Sequence, residues 1–566
     1  GSAYISPFHH SLLFPSPLLF SESASFVIGG EHRLGDCQID ESIGYSFSEN
    51  DVLDTANAIF RTLRDFDGSY DIRRFPSQPD IRISVDGIVL DTEDFLDPHP
   101  YIFNRYDNID DMAEDTELAM RLNALRKWES EAGNYTFKTG FKARLRDASK
   151  DQDRIRNFPT GTPFRLSEVS APGAETVFRN AYPLGPSWSA AAMESYFQDN
   201  QDDFFPVSDS FAGDFSVSES IYATYGMFQR ESERWLMIAG LRLERTDSET
   251  RGYEIISYVD DEGENVTEVN PVSISDSYDM WFPGFHVLYK ANSNWVFRSS
   301  LTRTLQRPDF RDLAPSTRVN LDTKRIRAGN PDLEPFDAKA IDIGTDIVLN
   351  EWGSLSLGFF YKRIEDFIVD IEEEVDYLGE PGFILSRPVN GSPADLLGLE
   401  AAWSTGLAFL PHPFENTSLS FNYMWTDSTA AYPGQPGEII MLPRQVRQTL
   451  NLNLRWRFQN WTVNLRTRYR GKQLQDLIEP GQDQFVEGFW SHSVSLIYKL
   501  NDTLSFSAGL ANLNRPNRIS YQGIPEHMVY NRQGTRNFSL GLNVKFGRGK
   551  IARLFSDAEK RPDNES

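Results

Sequence analysis

Residues 537–546 read NFSLGLNVKF, and this stretch decides the fold class. Apolar and polar side chains alternate through it with a period of two, which is the pattern of a β-strand with one apolar face. The same alternation recurs in residues 449–458 and 461–470. Strands of roughly ten to fifteen residues are longer than those of a typical β-sandwich and are long enough to cross a bilayer at a tilt. The apolar face of the first stretch consists of Phe538, Leu540, Leu542, Val544 and Phe546.

The connections between the strands predict a membrane barrel. Short polar turns join pairs of strands at residues 130–134, 230–234, 292–294, 351–353, 412–415, 459–460 and 501–502. Long excursions separate these hairpins at residues 150–215, 247–276, 308–336, 366–395, 427–444 and 474–487. Short turns on one side and long loops on the other are typical of bacterial outer-membrane barrels, with the short side in the periplasm. Four tryptophans at these turns are expected to form the periplasmic aromatic girdle: Trp235, Trp295, Trp352 and Trp461.

The composition suits a barrel wall and excludes several other classes of protein. The chain has 566 residues, of which 13% are aromatic, and its net charge is −26. No run of 18 apolar residues is present, which excludes a helical membrane span, and the acidic balance argues against a nucleic-acid partner. Cys37 is the only cysteine, so no disulfide framework is expected. The histidines lack ligand spacing and no catalytic motif occurs, so we expect no metal site, no cofactor and no enzymatic activity.

We therefore predict an all-β fold, a large antiparallel transmembrane β-barrel with long extracellular loops and short periplasmic turns. The sequence supplies about 17–19 strands, whereas outer-membrane transporters with a plugged lumen have about 22. We divide the chain into three parts. Residues 1–115 hold the first visible barrel strands and an extracellular excursion, residues 116–546 hold the main barrel, and residues 547–566 form a polar periplasmic tail. The first strand runs toward the periplasm, so we expect further strands to have been removed or to lie on another chain.

Several segments, in this order along the chain, resemble the TonB-dependent receptor family. Residues 330–335 (NPDLEP), which follow Ala328 and Gly329 and precede a strand, resemble the family's GNPxLxP motif. The Arg-Pro pair in residues 301–315 (LTRTLQRPDFRDLAP) is similar to the segment that precedes this motif in the family. Further similar pieces lie at residues 222–227, 239–246, 397–400 and 512–516.

This resemblance implies an active importer of a scarce nutrient in the bacterial outer membrane, with a carbohydrate or a siderophore-like complex as substrate. The partners that it implies are outer-membrane lipid, a small nutrient ligand and the TonB–ExbB–ExbD system. That system would act through a plug domain, which we do not find in this chain, so a second chain or fragment is expected to complete the plug and the barrel. The alternative is a passive, porin-like pore of large diameter, and a third class is an enzyme or adhesin displayed on a barrel.

Two sets of side chains are candidates for substrate binding. In the loop at residues 150–215, aromatic planes stand beside carboxylates, a combination that stacks on sugars or binds Ca²⁺, although a small aromatic core within the loop explains it equally well. On two neighbouring strands, lumen-facing arginines either guide an anionic substrate or pair with carboxylates of the barrel or the plug. The first set is Trp188, Tyr196, Phe197, Asp199, Asp202 and Asp203, and the second is Arg455, Arg457, Arg466, Arg468 and Arg470.

Overall fold

The computed structural model describes most of the chain. The described residues are 3–5, 9–13, 18–62, 66–71, 80–85, 87–161, 163–171, 176–177, 182–183, 186–208, 210–260, 265–321, 323–433, 435–478 and 481–545. The predicted periplasmic tail at residues 547–566 lies outside them. The division of the chain into three parts stays a prediction.

Within the described residues, the wall is a single ladder of 17 strands, numbered β1 to β17, in which each strand pairs antiparallel with the next. Their bounds are β1 Leu18–Leu34, β2 Cys37–Thr62, β3 Tyr101–Ser130, β4 Gly133–Pro159, β5 Phe215–Glu231, β6 Trp235–Val259, β7 Asn265–Lys290, β8 Trp295–Gln306, β9 Phe336–Val348, β10 Ser354–Glu365, β11 Ala394–Gly406, β12 Thr417–Tyr432, β13 Gln448–Phe458, β14 Trp461–Arg470, β15 Phe489–Lys499, β16 Leu504–Ala511 and β17 Asn537–Val544. The predicted fold class is confirmed, and the strand count lies within the predicted range.

Short connections join the strands in pairs on one side of the wall, as predicted. Strand β9 ends at Val348 and β10 begins at Ser354, with Gly353 between them at a φ of +83°. A Cβ on Gly353 would lie 1.9 Å from the carbonyl oxygen of Ser404, so this tight turn requires glycine. Trp235, Trp295 and Trp461 begin strands at this side, and Trp352 lies in the turn itself. All four indoles are exposed, as the girdle prediction requires.

The two faces of the wall differ in polarity because the alternation of side chains is kept in register from strand to strand. Phe285 lies opposite Leu301, and Leu301 lies opposite Ile341. These apolar side chains are exposed, which is expected of a surface that contacts lipid. On the other face, the Ser300 hydroxyl donates a hydrogen bond to Asp342 Oδ2 at 3.1 Å. This polar face lines the lumen.

Parts of the predicted extracellular excursions are strands. Strand β6 continues to Val259 and β7 begins at Asn265, so the range 247–276 is mostly a hairpin. Above the bilayer both faces of a strand are wet, and the apolar alternation that marks a strand in the sequence is lost. Residues Thr317–Asn320 pair in parallel with the top of β6, and Arg325–Ala328 pairs in parallel with Glu380–Asn390. The connections β6–β7, β8–β9 and β10–β11 therefore share one extracellular sheet.

The segments at residues 59–62 and 80–90 add no strand to the ladder. The first belongs largely to the top of β2, and Asp80–Val85 lies in a separate four-stranded sheet with Ala3–Ile5, Phe66–Asp71 and Ile88–Val89. The other short strands are His9–Leu13, Thr176–Val177, Tyr182–Pro183, Phe204–Ser208, Ile368–Tyr377, Gln435–Ile440, Gln473–Asp476, Gln484–Val486, Asn517–Gln522 and Met528–Gln533.

Helices are short and lie in the connections. They are Thr92–Leu96, Ala190–Asp199 and Phe310–Leu313, with 3₁₀ turns at Leu166–Glu168, Gln201–Asp203, Ser210–Gly213 and Asn350–Trp352. In the described ranges, none of the helices has the length and apolar character needed to cross a bilayer.

Candidate functional site

The aromatic residues of the loop at residues 150–215 pack into an extracellular core. Trp188 is only 7% exposed and lies in a buried cluster with Phe60, Phe103, Phe164 and Met193. This cluster joins the loop to the tops of β2 and β3. Burial in it raises the pKa of the Tyr101 and Tyr106 hydroxyls to about 12 each.

The rings of Tyr196 and Phe197 also contact other rings of this cluster. The Tyr196 ring lies 3.9 Å from that of Phe164, and the Phe197 ring lies 4.4 Å from that of Tyr106, measured between ring centroids. Ring faces that pack on one another are not presented to a sugar. The geometry is that of the loop-core alternative, and ligand binding by Trp188, Tyr196 and Phe197 stays a prediction.

The three aspartates of this loop lie on its surface. Asp199 ends the helix Ala190–Asp199, and Asp202 and Asp203 lie in the 3₁₀ turn that follows. All three are exposed. Among the residues that the structure describes, no group of three or more histidine, cysteine or carboxylate side chains is placed to hold a metal ion.

The five predicted arginines come together on the lumenal face of β13 and β14. In the register, Arg455 lies opposite Asn464 and Arg466 lies opposite Asn453. Arg455 Nε donates to Asn464 Oδ1 at 2.9 Å. All five arginines are exposed, and we call the set the arginine patch: Arg455, Arg457, Arg466, Arg468 and Arg470.

The hydrogen-bond partners of the arginine patch are neutral. Arg468 Nε donates to Asn451 Oδ1 at 3.1 Å, and Arg470 donates to Gln473 Oε1 at 2.6 Å. Within the described part of the chain, none of the five guanidinium groups lies within 4.0 Å of a carboxylate. Most of the lumenal positions next to the patch on β12 and β15 carry hydroxyl or amide groups: Ser418, Ser420, Asn422, Ser491, Ser493 and Ser495. Phe489 lies opposite Arg470. Among the described residues, the positive charge of the patch therefore faces the lumen without a carboxylate in direct contact.

Strands β3 to β10 present a different lumenal face, on which arginines are paired with carboxylates. Arg144 pairs with Glu117 on β3, and Arg298 pairs with Asp346 on β9. Arg146 pairs with Asp115, which also lies on β3. We call this face the paired wall.

A charged cluster around Arg307 was missed by the sequence analysis. Arg307 lies 2.8 Å from Glu244 and 3.4 Å from Glu219, and it also donates to the Thr246 hydroxyl at 3.0 Å. Glu219 is 8% exposed and Glu244 is 11% exposed, so the cluster is largely buried. The sequence signal that could have indicated this cluster is the pair Arg307 and Pro308. This pair anchors the connection from β8 to β9 against the inner wall, beside Phe310, Leu313, Pro331 and Leu333.

Comparison with known proteins places this wall in a family. Residues 45–513 match the family model described as TonB dependent receptor-like, beta-barrel. The chain belongs to the TonB-dependent receptor family. The match covers most of the ladder, and members of the family are receptors of the outer membrane rather than enzymes. The predicted family, location and non-enzymatic class are confirmed.

Two solved structures show the same fold at low sequence identity. The ferric-catecholate import receptor Fiu from E. coli K12 has a TM-score of 0.52 and 15% identity, over 90% of this chain and 65% of that chain. The copper transporter OprC has a TM-score of 0.50 and 13% identity, over 93% of this chain and 72% of that chain. This receptor barrel thus spans about two thirds of the length of Fiu. No curated protein sequence matches the chain.

Proposed function

We propose that this receptor barrel belongs to a TonB-dependent active importer and that the arginine patch guides a small anionic nutrient complex, such as an anionic siderophore, through the lumen. The observation that carries the proposal is the set of exposed lumenal arginines that have no carboxylate partner in the described part of the chain. Guanidinium groups that have no carboxylate partner attract anions and offer them bidentate hydrogen bonds. Both Fiu and OprC bear names of transporters of metal ions or metal complexes, which agrees with such a substrate.

An anionic complex fits the described side chains better than a carbohydrate does. The aromatic side chains expected to stack on a sugar are packed against each other, whereas the arginines are exposed. In the family, energy for import comes from the TonB–ExbB–ExbD system through a plug. We include that system and the plug among the proposed partners.

The proposal is tested by uptake of ferric citrate and a ferric catecholate into cells that carry this receptor, with a neutral ferric hydroxamate for comparison. We expect uptake of an anionic complex to depend on both the receptor and TonB. The double substitution Arg466→Glu and Arg468→Glu should lower this uptake by about tenfold or more, because it reverses the local charge.

The control is Arg245→Glu with Arg251→Glu, two exposed arginines on the outer face of β6 that lie 2.9 Å from carboxylates. Uptake in this control should change far less. Uptake that continues without TonB would instead establish the passive pore. If uptake needs TonB but is unaffected by the arginine patch substitutions, the protein is still an active importer, and the proposal that the patch guides an anionic substrate is wrong.

A further inference from the structure

Positive charge is concentrated in one part of this acidic chain. Residues 444–472, which include the arginine patch, contain eight arginines and lysines and no carboxylate, although the whole chain has a net charge of −26. Residues 512–536, which connect β16 to β17 on the extracellular side, contain four arginines and a single carboxylate. The lumenal arginine patch is therefore matched by a basic extracellular connection two strands away.

The connection from β16 to β17 forms a hairpin in which two of these arginines are opposed. Its strands Asn517–Gln522 and Met528–Gln533 pair antiparallel, and Arg518 lies directly opposite Arg532. Residues in this arrangement project from the same face of the sheet with their Cβ atoms about 5 Å apart, and like charges placed there destabilise the strand pair. We call these two residues the extracellular arginine pair. Their juxtaposition opposes folding of the hairpin, so it is not explained by stability.

The surroundings of the extracellular arginine pair do not offset this repulsion. Among the described residues, neither guanidinium group of the pair lies within 4.0 Å of a carboxylate, and both side chains are exposed. The arginines of the β12–β13 connection differ in this respect. Arg444 lies 3.7 Å from Asp476, and Arg447 lies 3.4 Å from Asp427. The pair therefore presents two positive charges to an external anion.

The strands that carry the pair belong to an extracellular sheet. Gln473–Asp476 pairs with Gln484–Val486, which pairs with Asn517–Gln522. In this sheet Ser520 is fully buried, and its hydroxyl accepts a hydrogen bond from Gln484 Nε2 at 2.7 Å. Side chains that are held on a sheet need little reordering when they bind a ligand, which favours affinity.

Hydrogen bonds connect the pair to the arginine patch. Arg518 donates to Gln475 Oε1 at 3.5 Å, and Gln473 Nε2 donates to the same oxygen at 2.8 Å. Gln473 Oε1 in turn accepts a hydrogen bond from Arg470 of the patch at 2.6 Å. Gln473 is only 3% exposed, so this link is enclosed by the protein. Two glutamine side chains thus join the extracellular cations to the lumenal ones.

We propose that the extracellular arginine pair is the entry site for the anionic substrate and holds one of its oxyanion groups, such as a carboxylate, before the substrate reaches the arginine patch. An oxyanion between the two guanidinium groups offsets their repulsion and accepts bidentate, charge-assisted hydrogen bonds from both. Through Gln475 and Gln473 this site is continuous with Arg470, at the extracellular end of the patch. The onward path rests on the proposed function, whereas binding of the anion at the pair does not.

Equilibrium binding to cells that lack TonB tests the entry site, because the substrate then binds from outside and is not imported. The probes are radioactive ferric citrate and a radioactive ferric catecholate, with a neutral ferric hydroxamate for comparison. In the wild type we expect saturable binding of at least one anionic complex. Arg518→Gln with Arg532→Gln should raise its Kd by about tenfold or more, because two charged hydrogen-bond donors are lost. Absence of saturable anion binding, or an unchanged Kd in the double variant, overturns the proposal.

The matched control is Arg444→Gln with Arg447→Gln, which removes the same charge from the paired arginines of the β12–β13 connection. We expect its Kd to change less than about twofold, because carboxylates already neutralise these guanidinium groups. An equal loss of affinity in both double variants would show that the overall positive field, rather than the opposed pair, attracts the anion. That result also overturns the proposal.

A conservative variant separates loss of the anion contacts from damage to the hairpin. Arg518→Lys with Arg532→Lys keeps both charges and loses only the planar fork, so its Kd should lie between those of the wild type and the glutamine variant. A Kd as poor as that of the glutamine variant would attribute the loss to an altered hairpin and contradict the entry site.

Uptake measured beside binding distinguishes this proposal from the proposed function. Arg466→Glu with Arg468→Glu acts in the lumen, beyond the entry site, so it should lower uptake more than it raises the Kd. If uptake is unaffected by this variant while the Kd still depends on Arg518 and Arg532, the entry site stands and the proposed path through the arginine patch is wrong. If uptake falls while the Kd is indifferent to Arg518 and Arg532, the entry site is wrong and the proposed function stands.

Discussion

The paired wall and the arginine patch carry the same residue type on the same barrel face, but they differ in their neighbours. Arg144 and Arg298 each contact a carboxylate on the adjacent strand, whereas Arg466 and Arg468 lie opposite serine and asparagine. A paired arginine is neutralised locally and contributes to the wall. An unpaired arginine projects its charge into the lumen, where it is available to a ligand. We propose that this contrast separates arginines that stabilise the wall from arginines that contact a ligand.

The largest effect on the free energy of unfolding is expected at the buried ion pairs around Arg307. Arg307→Met leaves Glu219 without its cation and removes one of the two that serve Glu244, so we expect the free energy of unfolding to fall by about 3–5 kcal/mol. Urea titration of the receptor in lipid measures this change. The control is Arg311→Met, whose side chain is 84% exposed and whose nearest carboxylate is 3.8 Å away. Adding Glu219→Gln to Arg307→Met should recover part of the loss, and no recovery would mean that lost packing rather than unpaired charge is responsible.

A similar difference between packed and exposed side chains is found in the extracellular loop at residues 150–215. Trp188→Ala removes a buried ring from the aromatic core, and we expect a cost of about 3 kcal/mol, confined to that core. Limited proteolysis should then cleave the loop at residues 150–215 while the wall stays intact. Phe211→Ala, at an exposed ring of the same loop, should leave the cleavage pattern unchanged. Equal sensitivity in both variants would contradict a structural role specific to Trp188.

An exposed pair on the paired wall should matter much less than the Arg307 cluster. Arg298 and Asp346 form an ion pair with both side chains well exposed to the lumen. We expect Arg298→Gln to cost at most about 1 kcal/mol, because water screens the pair, and the cost should shrink as salt is added. Urea titration at low and high ionic strength measures the loss of stability and its dependence on salt. A cost as large as that of Arg307→Met would show that exposure does not set the strength of these pairs.

The smallest effect on stability is expected in the arginine patch. Arg466→Gln removes no carboxylate contact, so the free energy of unfolding should change by no more than about 0.5 kcal/mol. Uptake of an anionic complex should nevertheless fall, which separates a functional role from a structural one. If unfolding were instead as sensitive as in Arg298→Gln, Arg466 would have a structural partner and the contrast between the two faces would be lost.

The fold followed from local patterns in the sequence. The alternation in residues 537–546 and the short turns at residues such as 351–353 predicted strands, hairpins and a lipid-facing side correctly. The tops of strands such as β6 were missed, because a strand with water on both faces has no apolar period. Arg307 was missed for a related reason: its partners Glu219 and Glu244 lie on β5 and β6, far from it in sequence.

The sequence alone therefore determined that the chain forms a membrane wall with a lipid face, a lumenal face and a periplasmic side. These properties depend on side-chain period and turn length, which are local. Only the tertiary structure decided that Trp188 is buried, and that Arg144 pairs with a carboxylate while Arg466 contacts none among the described residues. Those properties depend on which strands become neighbours, because burial and ion pairing are set by residues distant in sequence.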